Sequence, residues 1–81
     1  MKHEIKIWPV HFERVLDGTK TFEIRNNDRA YQMGDTVVLK EWIESDRLGM
    51  PPAYSGREKH FKIGVVYPLD ENMVVFALVN P

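Results

Sequence analysis

Gly18-Thr19-Lys20-Thr21-Phe22-Glu23-Ile24-Arg25 is the stretch where the chain changes period. Before Gly18, the apolar residues Phe12, Val15 and Leu16 recur at three and four positions, which is the stripe of a helix. Pro9 suits its first turn and Gly18 its stop. From Thr21 onward apolar and polar residues alternate, the spacing of a strand. The alternation places Phe22 and Ile24 on a core face and Thr21, Glu23 and Arg25 on a polar one. The helix is short, about two turns, so packing against the flanking strands must hold it rather than propensity.

Working outward, His3-Glu4-Ile5-Lys6-Ile7 alternates as a first strand that ends at Trp8, and Trp8 is expected to pack against the helix stripe. After Arg25, the polar run Asn26-Asn27-Asp28-Arg29 breaks the second strand. Gly34-Asp35 then turns the chain into the β-branched strand Thr36–Trp42. Ile43 to Gly56, with Gly49, Pro51 and Pro52, reads as a connection about fourteen residues long. Arg57 to Tyr67 alternates again, with Phe61, Ile63, Val65 and Tyr67 assigned to one face and Gly64 marking a bulge or bend. Met73–Val79 is apolar on both faces and is expected to be a central strand. Five strands and one helix after the first strand predict a mainly β (α+β) single domain over residues 1–81. A small curved sheet or pseudo-barrel plugged by the helix buries the apolar faces best.

Composition narrows the function classes. Among 81 residues, Lys and Arg total 11 and Asp and Glu 12, a formal net charge of -1. That excludes a broadly cationic nucleic-acid binder, so any polyanion site must be a local patch. With no cysteine there is no disulfide framework, thiolate metal site or thiol nucleophile. The charged start Met1-Lys2-His3-Glu4 is unlike a signal core, and no run approaches the roughly 18 apolar residues of a membrane span. A cytoplasmic monomer without membrane contact is expected. His3, His11 and His60 lack metal-ligand spacing, and there is no Gly-rich phosphate loop or Gly-x-Ser-x-Gly, so neither metal nor cofactor is expected.

The residues fit for chemistry cluster in the quoted stretch. A glycine-ended helix delivers Lys20 to the mouth of a strand whose Glu23 and Arg25 project from one face. A fixed guanidinium takes a phosphate bidentately, a lysine adds a point charge, and a carboxylate accepts from a base amino group or orients the arginine. The same spacing also suits an ion pair on a solvated face. Elsewhere, Arg29 is placed to reach back to the cleft, and Trp42 either stacks on a base or is half-buried core. Tyr54 and Arg57 close the long connection as a ring beside a guanidinium, suited to stacking and phosphate contact, or as a loop end with a snorkelling arginine. His3 either reaches the cleft or is a solvated strand start. Lys59 and Lys62 fall on opposite faces and cannot both line one groove.

Gly18, Lys20, Glu23 and Arg25 match the Gly-x-Lys-x-x-Glu-x-Arg type motif of the ASCH superfamily in full. The chain resembles the short bacterial and phage branch of that superfamily further through His3-Glu4-Ile5-Lys6, Trp8-Pro9, Asn27-Asp28-Arg29, Gly34-Asp35, Glu41-Trp42 and Tyr54-Ser55-Gly56-Arg57-Glu58. The resemblance implies a PUA-like β-barrel with a cleft beside the helix that binds RNA or modified nucleosides. It extends distantly to an acetylcytidine amidohydrolase whose catalytic lysine matches Lys20. Glu23 stands here in the position of that enzyme's threonine, and its later glutamate has no counterpart.

Residues and resemblance together predict an RNA- or nucleotide-binding module. Lys20, Arg25, Arg29 and Arg57 would meet phosphate or base, Glu23 would read a donor edge, and Trp42 and Tyr54 would stack. Two rival readings are hydrolysis of a modified nucleoside by Lys20 and Glu23, and a protein-interaction domain docking a partner through a strand edge or the long loop.

Overall fold

The computed structural model describes residues 1–44 and 49–81. Strand β1 (Lys2–Ile7) turns His3, Ile5 and Ile7 inward and Lys2, Glu4 and Lys6 outward. It leads directly into helix α1 (Pro9–Leu16), whose first hydrogen bond runs from the Phe12 N–H to the Trp8 carbonyl at 2.9 Å. Trp8 is therefore the N-cap, with Pro9 beside it where a missing N–H costs nothing. The residue in position to staple the helix entry is Ile7, and both Ile7 and Phe12 belong to the buried core. Phe12 and Val15 carry the helix into that core, while Leu16, expected in the same stripe, is exposed. Gly18 ends the turn at φ +84°, a backbone conformation that side chains resist.

The remaining strands are β2 (Phe22–Asn26), β3 (Thr36–Ile43), β4 (Ala53–Pro68) and β5 (Met73–Val79). They form one sheet in the order β1-β3-β4-β5-β2, with β1 and β3 parallel and the other pairs antiparallel. The sheet curls into a half-barrel with the helix after the first strand, as the periodicity predicts. The core cluster on its concave side includes Ile5, Ile7, Phe12, Val15, Tyr31, Val37, Leu39, Phe61, Ile63, Val74 and Phe76. Two arginines tie the edge strand β1 to the β2 side. Arg25 donates to the Lys6 carbonyl at 2.8 Å and Arg29 to the Glu4 carbonyl at 3.0 Å, occupying acceptors that an edge strand leaves open.

Three expectations are corrected. The first is the orientation of β2: Phe22 and Ile24 are 41% and 47% exposed, while Glu23 is 3% exposed on the inner face. In register, Glu23 opposes Phe76 and Arg25 opposes Val74, both buried, whereas Phe22 and Ile24 oppose Ala77 and Val75 on the convex side. Because β5 is apolar on both faces, an apolar partner row exists whichever way β2 turns.

The second concerns β4, where Val65 and Tyr67 are exposed rather than sharing the face of Phe61 and Ile63. The pairing with β5 shifts register between Ile63 and Val66, and this bulge flips the following residues so that Val66 packs on the core. Gly64 sits in the bulge, where an added Cβ would lie 3.0 Å from Val79 and 3.1 Å from Ala77. The convex side of β2, β5 and β4 is consequently an apolar exterior.

The third is the long connection. Strand β4 begins at Ala53, and Trp42 pairs with Tyr54 across an irregularity that contains Gly56 at φ +98°. The stretch from Ala53 to Gly56, expected to be part of the connection, is strand, and the connection ends at Pro52. Its residues 45–48 lie outside the described residues. Among the described residues no helix is long and apolar enough to cross a membrane.

Candidate functional site

Beside α1, where β1 ends and β2 begins, lies a cleft of about 340 Å³ lined by Lys6, Ile7, Trp8, His11 and the run Lys20, Phe22, Glu23, Ile24 and Arg25. The turn that delivers Lys20 is held locally. Thr19 donates its N–H and hydroxyl to the Asp17 carboxylate at 2.8 and 2.7 Å, and these bonds lower the Asp17 pKa. The Lys20 N–H returns to the Arg14 carbonyl at 3.0 Å.

Lys20 Nζ donates to Glu23 Oε2 at 2.8 Å, and Arg25 Nη2 approaches Glu23 Oε1 at 3.4 Å. The same Arg25 nitrogen makes the bond to the Lys6 carbonyl. A carboxylate withdrawn from water is costly unless paired, and here both oxygens face cations. The buried carboxylate in turn fixes where the two cations stand at the cleft. Glu23 and Arg25, expected on one face, and Lys20, expected at the mouth of their strand, are thus brought together at the cleft.

Apolar surface surrounds this triad. Trp8 is 57% exposed and lines the cleft, so its expected packing role is corrected: as N-cap it sits outside the staple position. Phe22 lines it too, with Lys20 Nζ 5.7 Å from its ring centroid. Lys6, Ile7, Trp8, His11, Phe22 and Ile24 are the lining residues that sequence reasoning did not assign to a site. For Trp8 the available signal was its place immediately before a helix-starting proline.

The other candidate residues are distributed differently. Arg29 lines a neighbouring hollow of about 160 Å³ with Ile5, Asn26, Asp28 and Tyr31, and Arg25 lines both this hollow and the cleft. Arg57 is absent from the cleft lining and lies against α1, 5.0 Å from the Phe12 ring centroid. Its guanidinium meets Glu41 through Nε at 3.0 Å and Nη2 at 2.7 Å, and Glu13 at 2.6 Å. Arg57 and the Ser55 hydroxyl, 2.6 Å away, hold the buried Glu41 carboxyl below the usual carboxylate range. Arg57 is therefore a clamp between α1, β3 and β4.

Tyr54 does not pair with Arg57. It turns to the convex face, where its ring meets half-buried Trp42 edge-on with centroids 4.9 Å apart. Lys40 Nζ lies 4.7 Å from the Tyr54 centroid and Lys6 Nζ 3.9 Å from that of Trp42. His3 neither reaches the cleft nor meets solvent. It is buried, with Nε2 2.8 Å from Asp35 Oδ2 and its ring 4.8 Å from Tyr31. Its alternation with Ile5 and Ile7 was the signal for that burial.

A family model described as a domain of unknown function (DUF3850) matches residues 2–78, and the chain belongs to that family. It is similar to an uncharacterized 12.9 kDa protein in the GpA 3′ region of Escherichia phage P2, at 32% identity over 78 residues. The match covers 96% of this chain and 65% of that protein, so the chain spans just under two thirds of the relative's length.

Proposed function

We propose that this DUF3850 domain is an RNA-binding module of the ASCH kind, acting in the cytoplasm and taking one nucleotide of a single-stranded or structured RNA into the cleft beside α1. The observation that carries the reading is the buried Glu23 holding Lys20 and Arg25 at a cleft rimmed by exposed Trp8 and Phe22. Cations fixed before the ligand arrives lose less freedom on meeting a phosphate, and aromatic rings stack on bases for roughly 1–3 kcal/mol each. Among the described residues the Arg25 side-chain bonds run through Nη2, which leaves its other nitrogens for an anion. A volume of about 340 Å³ is at the small end of ligand clefts and suits one nucleoside rather than a duplex.

Filter binding of pooled cellular RNA tests the reading. Retention at low salt that falls as salt rises is expected, and it should be lost when Lys20→Met and Glu23→Gln are made together, a change that removes a charge of each sign. Absence of retention at low salt, or retention unchanged in that variant, overturns it.

The 2.8 Å contact between Lys20 and Glu23 also favours a second reading, proton transfer on a modified nucleoside in the same cleft. Incubation with acylated nucleosides followed by chromatography decides it, and turnover no higher than in the Lys20→Met control sinks it.

A further inference from the structure

Lys6, which lines the cleft, also belongs to a second surface. On the convex side, Lys6 of β1 is the register partner of Lys40 of β3, and Trp42 is that of Tyr54. Each of the two lysines rests over a ring, Lys6 on Trp42 and Lys40 on Tyr54, so the aromatic pair positions both ammonium groups on this face. Further along the same face Lys2 and Lys62 both align with Thr36. Two glutamates accompany these four lysines. Glu4 lies 3.8 Å from Lys40, and Glu58 is hydrogen-bonded to His60 at 2.6 Å. In a chain of net charge -1, this face is cationic and continuous with the cleft through Lys6.

We infer that Lys6 and Lys40 form a phosphate track that carries a single RNA strand out of the cleft, over the β1 edge and onto the convex sheet. The inference rests on the cleft's taking a nucleotide and adds the path of its neighbours. The occupant is a single strand because Lys6 bridges two faces of a curled sheet, and a flexible backbone turns that edge where a rigid duplex does not. The rings orient the lysines, and the lysines meet the phosphates.

The test is fluorescence anisotropy across a salt series with labelled oligouridylates of about two and about eight nucleotides, spanning the lower site sizes of small single-strand-binding barrels. The longer strand is expected to bind about tenfold tighter, with a salt slope steeper by about 0.7 for each added phosphate contact. Lys40→Gln, on the exposed face and outside the cleft, should abolish most of that gain while the dinucleotide binds as before.

Equal affinity for the two lengths, or a length gain that survives in Lys40→Gln, overturns the track and leaves the cleft reading standing. The same holds if a blunt RNA duplex shows the gain of the single strand. Failure of both oligouridylates to bind overturns track and cleft together.

Discussion

Lys20 and Glu23 meet at 2.8 Å on the concave side of the sheet, with the Glu23 carboxylate almost fully withdrawn from solvent. Their separation of three residues spans a helix-ending turn and the start of a strand, so the pair is a product of the fold rather than of one regular element. A buried carboxylate that loses its lysine keeps its desolvation cost, whereas losing both charges removes the cost with the benefit.

Lys20→Met is accordingly expected to lower stability by about 1–3 kcal/mol, less than for a fully isolated buried charge because Arg25 remains. Adding Glu23→Gln should return part of the loss. Urea denaturation of both single variants and the double variant measures the coupling, and strictly additive losses contradict the pairing.

Arg57→Ala should act on stability rather than on RNA. It leaves buried Glu41 with Ser55 alone and frees α1 from its clamp, so a clear loss of stability is expected, moderated by the solvent on the exposed side of the guanidinium. Thermal melting reads the loss, and binding by the folded fraction should match wild type. A variant with normal melting and weakened binding would return Arg57 to the ligand.

Asp35 gives a dependence on pH. Hydrogen bonds from His3 and then from the amino group of Met1 hold its carboxyl at about 2, below the ordinary 3.8. Because the folded value is depressed, the stabilisation is fully present above about pH 4 and disappears as pH falls through about 2. Urea midpoints of wild type and Asp35→Asn should therefore differ most above pH 4 and converge toward pH 2. A gap that stays constant across that window contradicts the assignment.

Gly64→Ala places a methyl 3.0 Å from Val79 and 3.1 Å from the Ala77 Cβ, which is fixed to a central strand. A destabilisation of about 1 kcal/mol is expected from the overpacking. A higher urea midpoint than wild type would show that the bulge can relax around the added group.

The elements themselves were legible because the change from a period near 3.6 to a period of 2 at Gly18 is written in single residues, as is the turn at Gly34-Asp35. The sidedness of β2 was not. Hydrophobic alternation says which residues share a face, and only register against β5 says which face is inside. The bulge at Gly64 was visible as a glycine in a strand, but its consequence, the outward turn of Val65 and Tyr67, depends on the partner strand.

Within the candidate site, the shared face of Glu23 and Arg25 followed from strand spacing, and Lys20 joins them through the turn that ends α1. Arg57 and Tyr54 went elsewhere because their partners, Glu41 and Trp42, sit on β3 more than ten positions earlier in the chain. Trp8 and Phe22 were assigned to packing rather than to the site because large apolar residues are normally spent on a core.

The cleft is tested most directly on the unaltered protein, by recording amide and indole nitrogen–proton spectra during titration with a short oligouridylate. Saturable, salt-sensitive shifts are expected, concentrated at the Trp8 indole and at the amides of Lys20, Phe22, Glu23 and Arg25. Spectra that do not change, or changes confined to surfaces away from α1 and β2, would contradict the cleft reading.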